Sequence, residues 1–345
     1  MSPTVFLTGG TGYIGGSILH TLATAHPDWS IIVLLRREPP AFSSTYPQVK
    51  VIHGDYDSAD VISNAAESAN IVVHCGNSDH EGSLNAIITG LKRRSSPGYL
   101  LHLSGTGIVS DWADETYLGR LNDKVWSDTD PASLREIRSL PDHALHRNTE
   151  KILHATARDS RQINIAIMCP PDIYGRGKGL VKTQSALIPI FVHESIKLGS
   201  VFYYGEGSNT KSWVHIDDLM RLYLRVVEVA ARNEQEEVKQ YFGENGYHFA
   251  STQEHSHSDV ARVVGKLLAD RGALQDPVPV EVDLQRLDEM ANIPHFPKLA
   301  RYLYASNSRT RAERAEGLWG YSGEAPGLMK VLADDVREAL DASER

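Results

Sequence analysis

Apolar positions in the first half of the chain come in short, nearly unbroken runs separated by stretches with helical spacing. Residues 5–8, 31–35, 49–53, 71–74, 99–103 and 163–168 are such runs. Their Val, Ile and Leu content is what a strand covered on both faces requires. Between the first two, Ile14, Ile18 and Leu22 recur at helical spacing, completing a strand–helix–strand unit. Repetition of that unit predicts an α/β fold, a doubly wound parallel Rossmann sheet with right-handed crossovers.

The second half is patterned differently. Leu219, Leu222, Tyr223, Val226, Val227 and Ala230 form one apolar helix stripe. Val260, Val263, Val264, Leu267 and Leu268 form another, with Ser258 as its expected cap. Short strand candidates lie at residues 201–204 and 246–250, and Gly205-Glu206-Gly207-Ser208 reads as a hairpin turn before Trp213. The pattern predicts a Rossmann domain over residues 1–170. Residues 171–345 are expected to form mainly a smaller α/β lobe, with segments around 210–250 returning to the first domain. The polar stretch 110–141 is long for a connection and reads as a lid, an insertion or a plain surface loop.

Composition narrows the partners. Over 345 residues, 35 Lys and Arg stand against 44 Asp and Glu, a net charge of −9. That balance argues against nucleic acid or an anionic membrane surface, and no apolar run is long enough to span a bilayer. The opening Met1-Ser2-Pro3-Thr4 carries no basic region and no apolar core of a leader, so a cytoplasmic protein is expected. Cys75 and Cys169 lie in or beside apolar runs and read as buried thiols rather than a disulfide.

The most specific chemistry is at the N-terminus, Thr8-Gly9-Gly10-Thr11-Gly12-Tyr13-Ile14-Gly15. Gly9, Gly12 and Gly15 follow the first strand and open a helix, where missing side chains admit a pyrophosphate to backbone N–H groups. The end of the second strand distinguishes the cofactors. A carboxylate there would hold the adenosine ribose diol of NAD, but the strand ends Leu34-Leu35-Arg36-Arg37, with no acid until Glu38. Two guanidiniums suit a 2′-phosphate, so NADP(H) is favoured over NAD(H). Asp55 and Tyr56 follow the third strand and are placed near the adenine; Cys75-Gly76 follows the fourth and is small enough for close approach.

With these motifs the sequence resembles the extended short-chain dehydrogenase/reductase family, the NAD-dependent epimerases and dehydratases included. The resemblance continues in Leu103-Ser104-Gly105-Thr106, in Cys169-Pro170-Pro171-Asp172-Ile173-Tyr174-Gly175, in Trp213-Val214-His215-Ile216-Asp217-Asp218-Leu219 and in Ser306-Asn307-Ser308-Arg309 with Gly320-Tyr321. It implies a small-molecule substrate, a homodimer as in many members, and Tyr13, Ile14, Pro170 and Ile173 at the cofactor. It also implies a hydroxyl after the fifth strand and a Tyr-x-x-x-Lys pair on the next long helix. Thr106 supplies the hydroxyl, with Ser104 beside it, but the pair is missing. By register His143 stands for the tyrosine and Arg147 for the lysine. Arg147 is then expected to hold the nicotinamide ribose and His143 to move the proton.

No familiar zinc spacing surrounds His255-Ser256-His257, so no metal is assigned. In the His215, Asp217 and Asp218 group, an aspartate is expected to cap the helix while the histidine packs. Asp79 and His80 face the same crevice as the cofactor, where loop solvation is the plainer account. Three functional readings follow. The leading one is an NADP(H)-dependent oxidoreductase of a small or secondary-metabolite carbonyl or alcohol. The others are a non-redox or internally redox epimerase, dehydratase, isomerase or cyclase, and an NADP(H)-sensing regulatory protein.

Overall fold

Seven strands pair in parallel: β1 (Thr4–Thr8), β2 (Ser30–Leu35), β3 (Val49–His53), β4 (Ile71–His74), β5 (Gly98–Leu103), β6 (Ile163–Cys169) and β7 (Tyr247–Phe249). Their order is β7-β6-β5-β4-β1-β2-β3. The structure, a computed structural model, describes residues 2–293 and 296–343; Met1 of the expected leaderless start lies outside them. The order reverses beside β1, the place where doubly wound sheets open a crevice beyond their C-terminal strand ends. Every residue of β4 and β5 is buried. Each fully buried Ile or Leu contributes roughly 1.5–3 kcal/mol, so these strands give the crevice a rigid floor.

Helix α1 (Tyr13–Ala25) follows β1 and buries Ile18, Leu19 and Leu22 in the larger of two hydrophobic cores. That core also takes the Ile216–Arg232 helix, which packs on α1. The second core joins the helices Leu187–Leu198, His257–Asp270 and Leu328–Ser343. Strands Asp172–Tyr174, Thr210–His215 and Gln253–Ser256 form a separate sheet.

One local expectation is made specific and three are corrected. The run at 246–250 is the seventh strand of the main sheet, registered on β6 with Tyr247 opposite Ile167. Ser256, not Ser258, caps the second helix, its Oγ accepting the Asp259 N–H at 3.2 Å. His215 caps the Ile216–Arg232 helix through Nδ1, which accepts from Asp217 N–H, while Asp218 is buried and accepts from the N–H of Glu324. The turn at Gly205 and Gly207 is present, with positive φ at both, but no hairpin forms. The Phe202–Tyr204 strand pairs with Val280–Val282 instead, because the turn steers the next strand into another sheet.

The stretch 110–141 carries regular elements packed into the fold. It contains the Trp126–Ser127 strand, paired with Thr310–Arg311, and the Pro131–Arg138 helix capped by Asp130. Asp111 fastens its start to Asn307 by accepting from backbone and side-chain N–H groups.

Candidate functional site

The loop between β1 and α1 works almost wholly through its backbone. Gly9 sits at φ +77°, and a Cβ there would overlap the Cys75 carbonyl at the end of β4. A Cβ on Gly15 would overlap the Gly9 carbonyl. Gly12 donates its N–H to Gly9 O at 2.8 Å and starts α1 with no capping side chain and no acid in the first turn. The helix therefore presents uncompensated N–H groups and its positive dipole end, a site suited to a pyrophosphate.

Arg36 and Arg37 stand just beyond β2 on a cavity of about 880 Å³ lined also by Thr11, Gly54, Asp55 and Val181. Among the described residues neither arginine makes an ion pair. Glu38, the first carboxylate after β2, is taken by the hydroxyl of Ser43. Asp55 accepts from Ser58 Oγ at 2.8 Å and Asp57 N–H at 3.1 Å, and the Ser58 bond draws its pKa below the usual carboxylate range. The Tyr56 ring packs on Gly76, close to where a side chain there would start. Burial pushes the Cys75 thiol up to about 12, so it is inert.

Segment 175–181 crosses from the second core onto α1. Tyr13 donates its phenol hydrogen to Gly175 O at 2.6 Å, and Lys178 N–H bonds Ser17 Oγ at 3.0 Å. Asp335 holds the Gly175 N–H from the far side at 3.2 Å. Tyr13 is thus a strut of this clasp, and Ile14 packs partly buried against the larger core. Neither role shows in the glycine motif.

At the end of β5 the chain reads Gly105-Thr106-Gly107. Thr106 is buried, its N–H bonded to Pro170 O and its carbonyl accepting from Ser308 Oγ. Its hydroxyl is uncommitted among the described residues. On one side His146 brings Nε2 to 3.1 Å from where a Cβ on Gly105 would stand. On the other, the Tyr302 phenol oxygen lies 3.0 Å from the equivalent point on Gly107.

His146 Nδ1 pairs with Asp79 Oδ1 at 2.8 Å. Lys211 Nζ sits 4.3 Å above the Tyr302 ring and 3.4 Å from Asp172, whose pKa burial raises. Phe296 and Trp112 extend the Tyr302 side into an aromatic wall. Beneath, the His74 and His102 rings lie 5.1 Å apart, tilted to each other; burial holds His74 down to about 4 and His102 well below the usual range.

With this geometry in place, two family descriptions match the chain: the NAD dependent epimerase/dehydratase family over residues 143–240, and the 3-beta hydroxysteroid dehydrogenase/isomerase family over residues 6–89. Over both matched segments the chain is similar to the extended short-chain dehydrogenase/reductase family. It is an enzyme.

Relatives include the oxidase ucsJ of Acremonium sp, 28% identical over 99% of each chain. A dTDP-4-dehydro-6-deoxy-D-allose reductase of Streptomyces bikiniensis is 25% identical over 65% of this chain and 72% of its own. The dTDP-glucose 4,6-dehydratase of Bacillus anthracis, solved with NAD, superposes with a TM-score of 0.65 at 12% identity, covering 99% and 98% of the two chains. The UDP-glucuronic acid 4-epimerase of Bacillus cereus gives 0.65 at 13% identity over 98% and 99%. These two likenesses concern the fold. Among the described residues no helix is long and apolar enough to cross a membrane.

Against the family's catalytic pattern, the register drawn from sequence is displaced. The helix after the 110–141 stretch runs from Arg147 to Asp159, so His143 lies in an exposed turn before it. Arg147 is the first helical residue and points to the outer face. It donates Nε to Leu140 O at 2.9 Å and Nη2 to Arg138 O at 2.6 Å, saturating carbonyls at and just beyond the end of the preceding helix. Neither residue is brought to the β5 edge. Ser104 is turned under the sheet, donating to the buried Glu150 at 2.6 Å. Pro170 lies at the floor through its carbonyl, whereas Ile173 packs against the larger core.

Sequence reasoning missed His146, Tyr302 and Lys211. The one signal present was Asp79 in the crevice loop.

Proposed function

We propose that this enzyme is an NADP(H)-dependent oxidoreductase acting on a small or secondary-metabolite carbonyl or alcohol. The observation that carries the reading is the pair of guanidiniums, Arg36 and Arg37, unpaired among the described residues on a cavity beyond the glycine loop. A 2′-phosphate on the adenosine ribose supplies the anion they lack. The glycine cradle that any Cβ would fill, and the uncapped α1, fit the pyrophosphate of the same dinucleotide.

A nicotinamide dinucleotide bound there supplies or accepts hydride. The chain's own part is to hold and orient. Arg36 and Arg37 fix the phosphate end, while Gly9, Gly12 and the first turn of α1 fix the middle. The Thr106 hydroxyl orients the substrate oxygen. The aromatic wall of Trp112, Phe296 and Tyr302 suits a flat or apolar substrate and excludes water from it. The oxidase and reductase names of two relatives support a redox reading.

The test is binding of NADPH and NADH followed by cofactor fluorescence, then deuteride transfer from labelled NADPH to a panel of aromatic and aliphatic carbonyls. Saturable binding with preference for NADPH, and deuterium in a product alcohol, are expected. Absence of NADPH binding, or of transfer across the whole panel, would overturn the reading.

A further inference from the structure

We infer that His146, held by Asp79, is the group that gives and takes the proton in this active site. The inference rests on the dinucleotide reading above. His146 comes from the residue before the Arg147–Asp159 helix, and its backbone sits at φ +63°, a region that L side chains rarely adopt. The conformation aims the ring across the end of β5. Nδ1 meets the Asp79 carboxylate at 2.8 Å, with Ser78 Oγ at 3.4 Å. Nε2 lies over Gly105, next to Thr106.

The Asp79 loop is itself pinned. Asn148 Nδ2 donates to Asp79 O at 2.9 Å, and His102 Nε2 lies 3.2 Å from Ser78 O. The titratable neighbours are Asp79 on this loop, Glu81 joined to Asn148, and His102 on β5, which burial holds neutral. Among the described residues the one carboxylate paired with the ring is at Nδ1. It fixes the tautomer and leaves Nε2 to face the chemistry, the arrangement of an oriented general acid and base.

In the reductive direction the carbonyl carbon gains a hydride from the reduced nicotinamide and the C–O π bond breaks. The oxygen takes the proton from Nε2. The carbonyl is reduced, the nicotinamide is oxidised, and the imidazole is left neutral. His146 is about one-fifth exposed and regains its proton from solvent.

The experiment is nitrogen-15 NMR of histidine-labelled enzyme, with H146N assigning the resonance. Asparagine tolerates positive φ and still donates to Asp79, but cannot pass a proton at pH 7. In the neutral ring, Nδ1–H is expected in the wild type, with the tautomer mixed in D79N. The His146 Nε2 resonance should differ between the NADP+ and NADPH forms while Nδ1 stays bonded to Asp79, because only the oxidised ring carries positive charge. H146N should bind NADPH within about twofold of wild type and transfer hydride at least about 100-fold more slowly. An Nε2 resonance unchanged between the two cofactor forms, or full transfer in H146N, would overturn the inference while leaving the dinucleotide reading intact. Failure of either cofactor form to bind would overturn both.

Discussion

At the phosphate end of the crevice the glycine loop acts mainly through main-chain atoms. At the β5 end, Asp79, Thr106, His146 and Tyr302 come from four separate segments and meet around one turn. The first site is built by what is absent: Cβ atoms at Gly9 and Gly15, a cap on α1, a carboxylate at Arg36. The second is built by side chains whose neighbours in sequence say little. This contrast explains why a family fingerprint survives at one end while the catalytic pair of the same family is missing at the other.

The largest effect is expected from G15A. Its Cβ would overlap the Gly9 carbonyl, and backbone has nowhere to move inside the β1–α1 turn. Calorimetry should show dinucleotide affinity falling by more than about 100-fold, with overpacking costing roughly 1–3 kcal/mol of stability. Unchanged affinity would mean that the loop does not approach the phosphates at all.

Next comes the double variant R36A/R37A. Loss of charge-assisted bonds, each worth about 1.5–3 kcal/mol, should collapse the NADPH preference over NADH by at least about tenfold and leave NADH binding nearly unchanged. An equal loss for both cofactors would make the arginines general anchors and blur the contrast between the two ends.

R147A tests the displaced register. It removes the guanidinium from the carbonyls of Arg138 and Leu140, so unfolding should show a cost of about 1–3 kcal/mol. The dinucleotide dissociation constant should stay within twofold. A weakened cofactor with unchanged melting would restore the role the family pattern implied.

The smallest effect concerns the clasp on α1. Burial, with Glu338 beside it, raises the Asp335 pKa from 3.8 to about 6. For such a group the folded state holds the proton longer than the unfolded chain. Its stabilisation is complete below pH 3.8 and is lost as pH rises through about 6. D335N cannot ionise, so its melting temperature relative to wild type should rise across that window. Parallel melting curves in the two proteins from pH 4 to 7 would show that the Gly175 contact does not titrate.

Much of the fold was legible because its signals are local. A strand buried on both faces must be continuously apolar, and a parallel neighbour needs a helix between. Hence residues 5–8, 31–35, 49–53 and 71–74 stood out, and the observed strands match them within a residue. The seventh strand was legible as a strand within a segment returning to the first domain, but not as the neighbour of β6. Three residues carry no record of which edge they will join.

The start of the catalytic helix was misplaced for a related reason. Pro141-Asp142-His143-Ala144 satisfies the local rules for a helix start, with proline early and an acid beside it. The true start is set elsewhere, by Arg147 reaching back to Arg138 and Leu140 and by His146 pairing with Asp79.

The sequence by itself determined the glycine loop, the paired arginines and the parallel sheet, since each follows from sterics or charge among adjacent residues. Tertiary structure alone decided which imidazole reaches the β5 edge, because that depends on one left-handed residue and on a carboxylate that folding brings from another strand end. It also brought Tyr302 and Lys211 to the same edge, by docking the second core over the sheet.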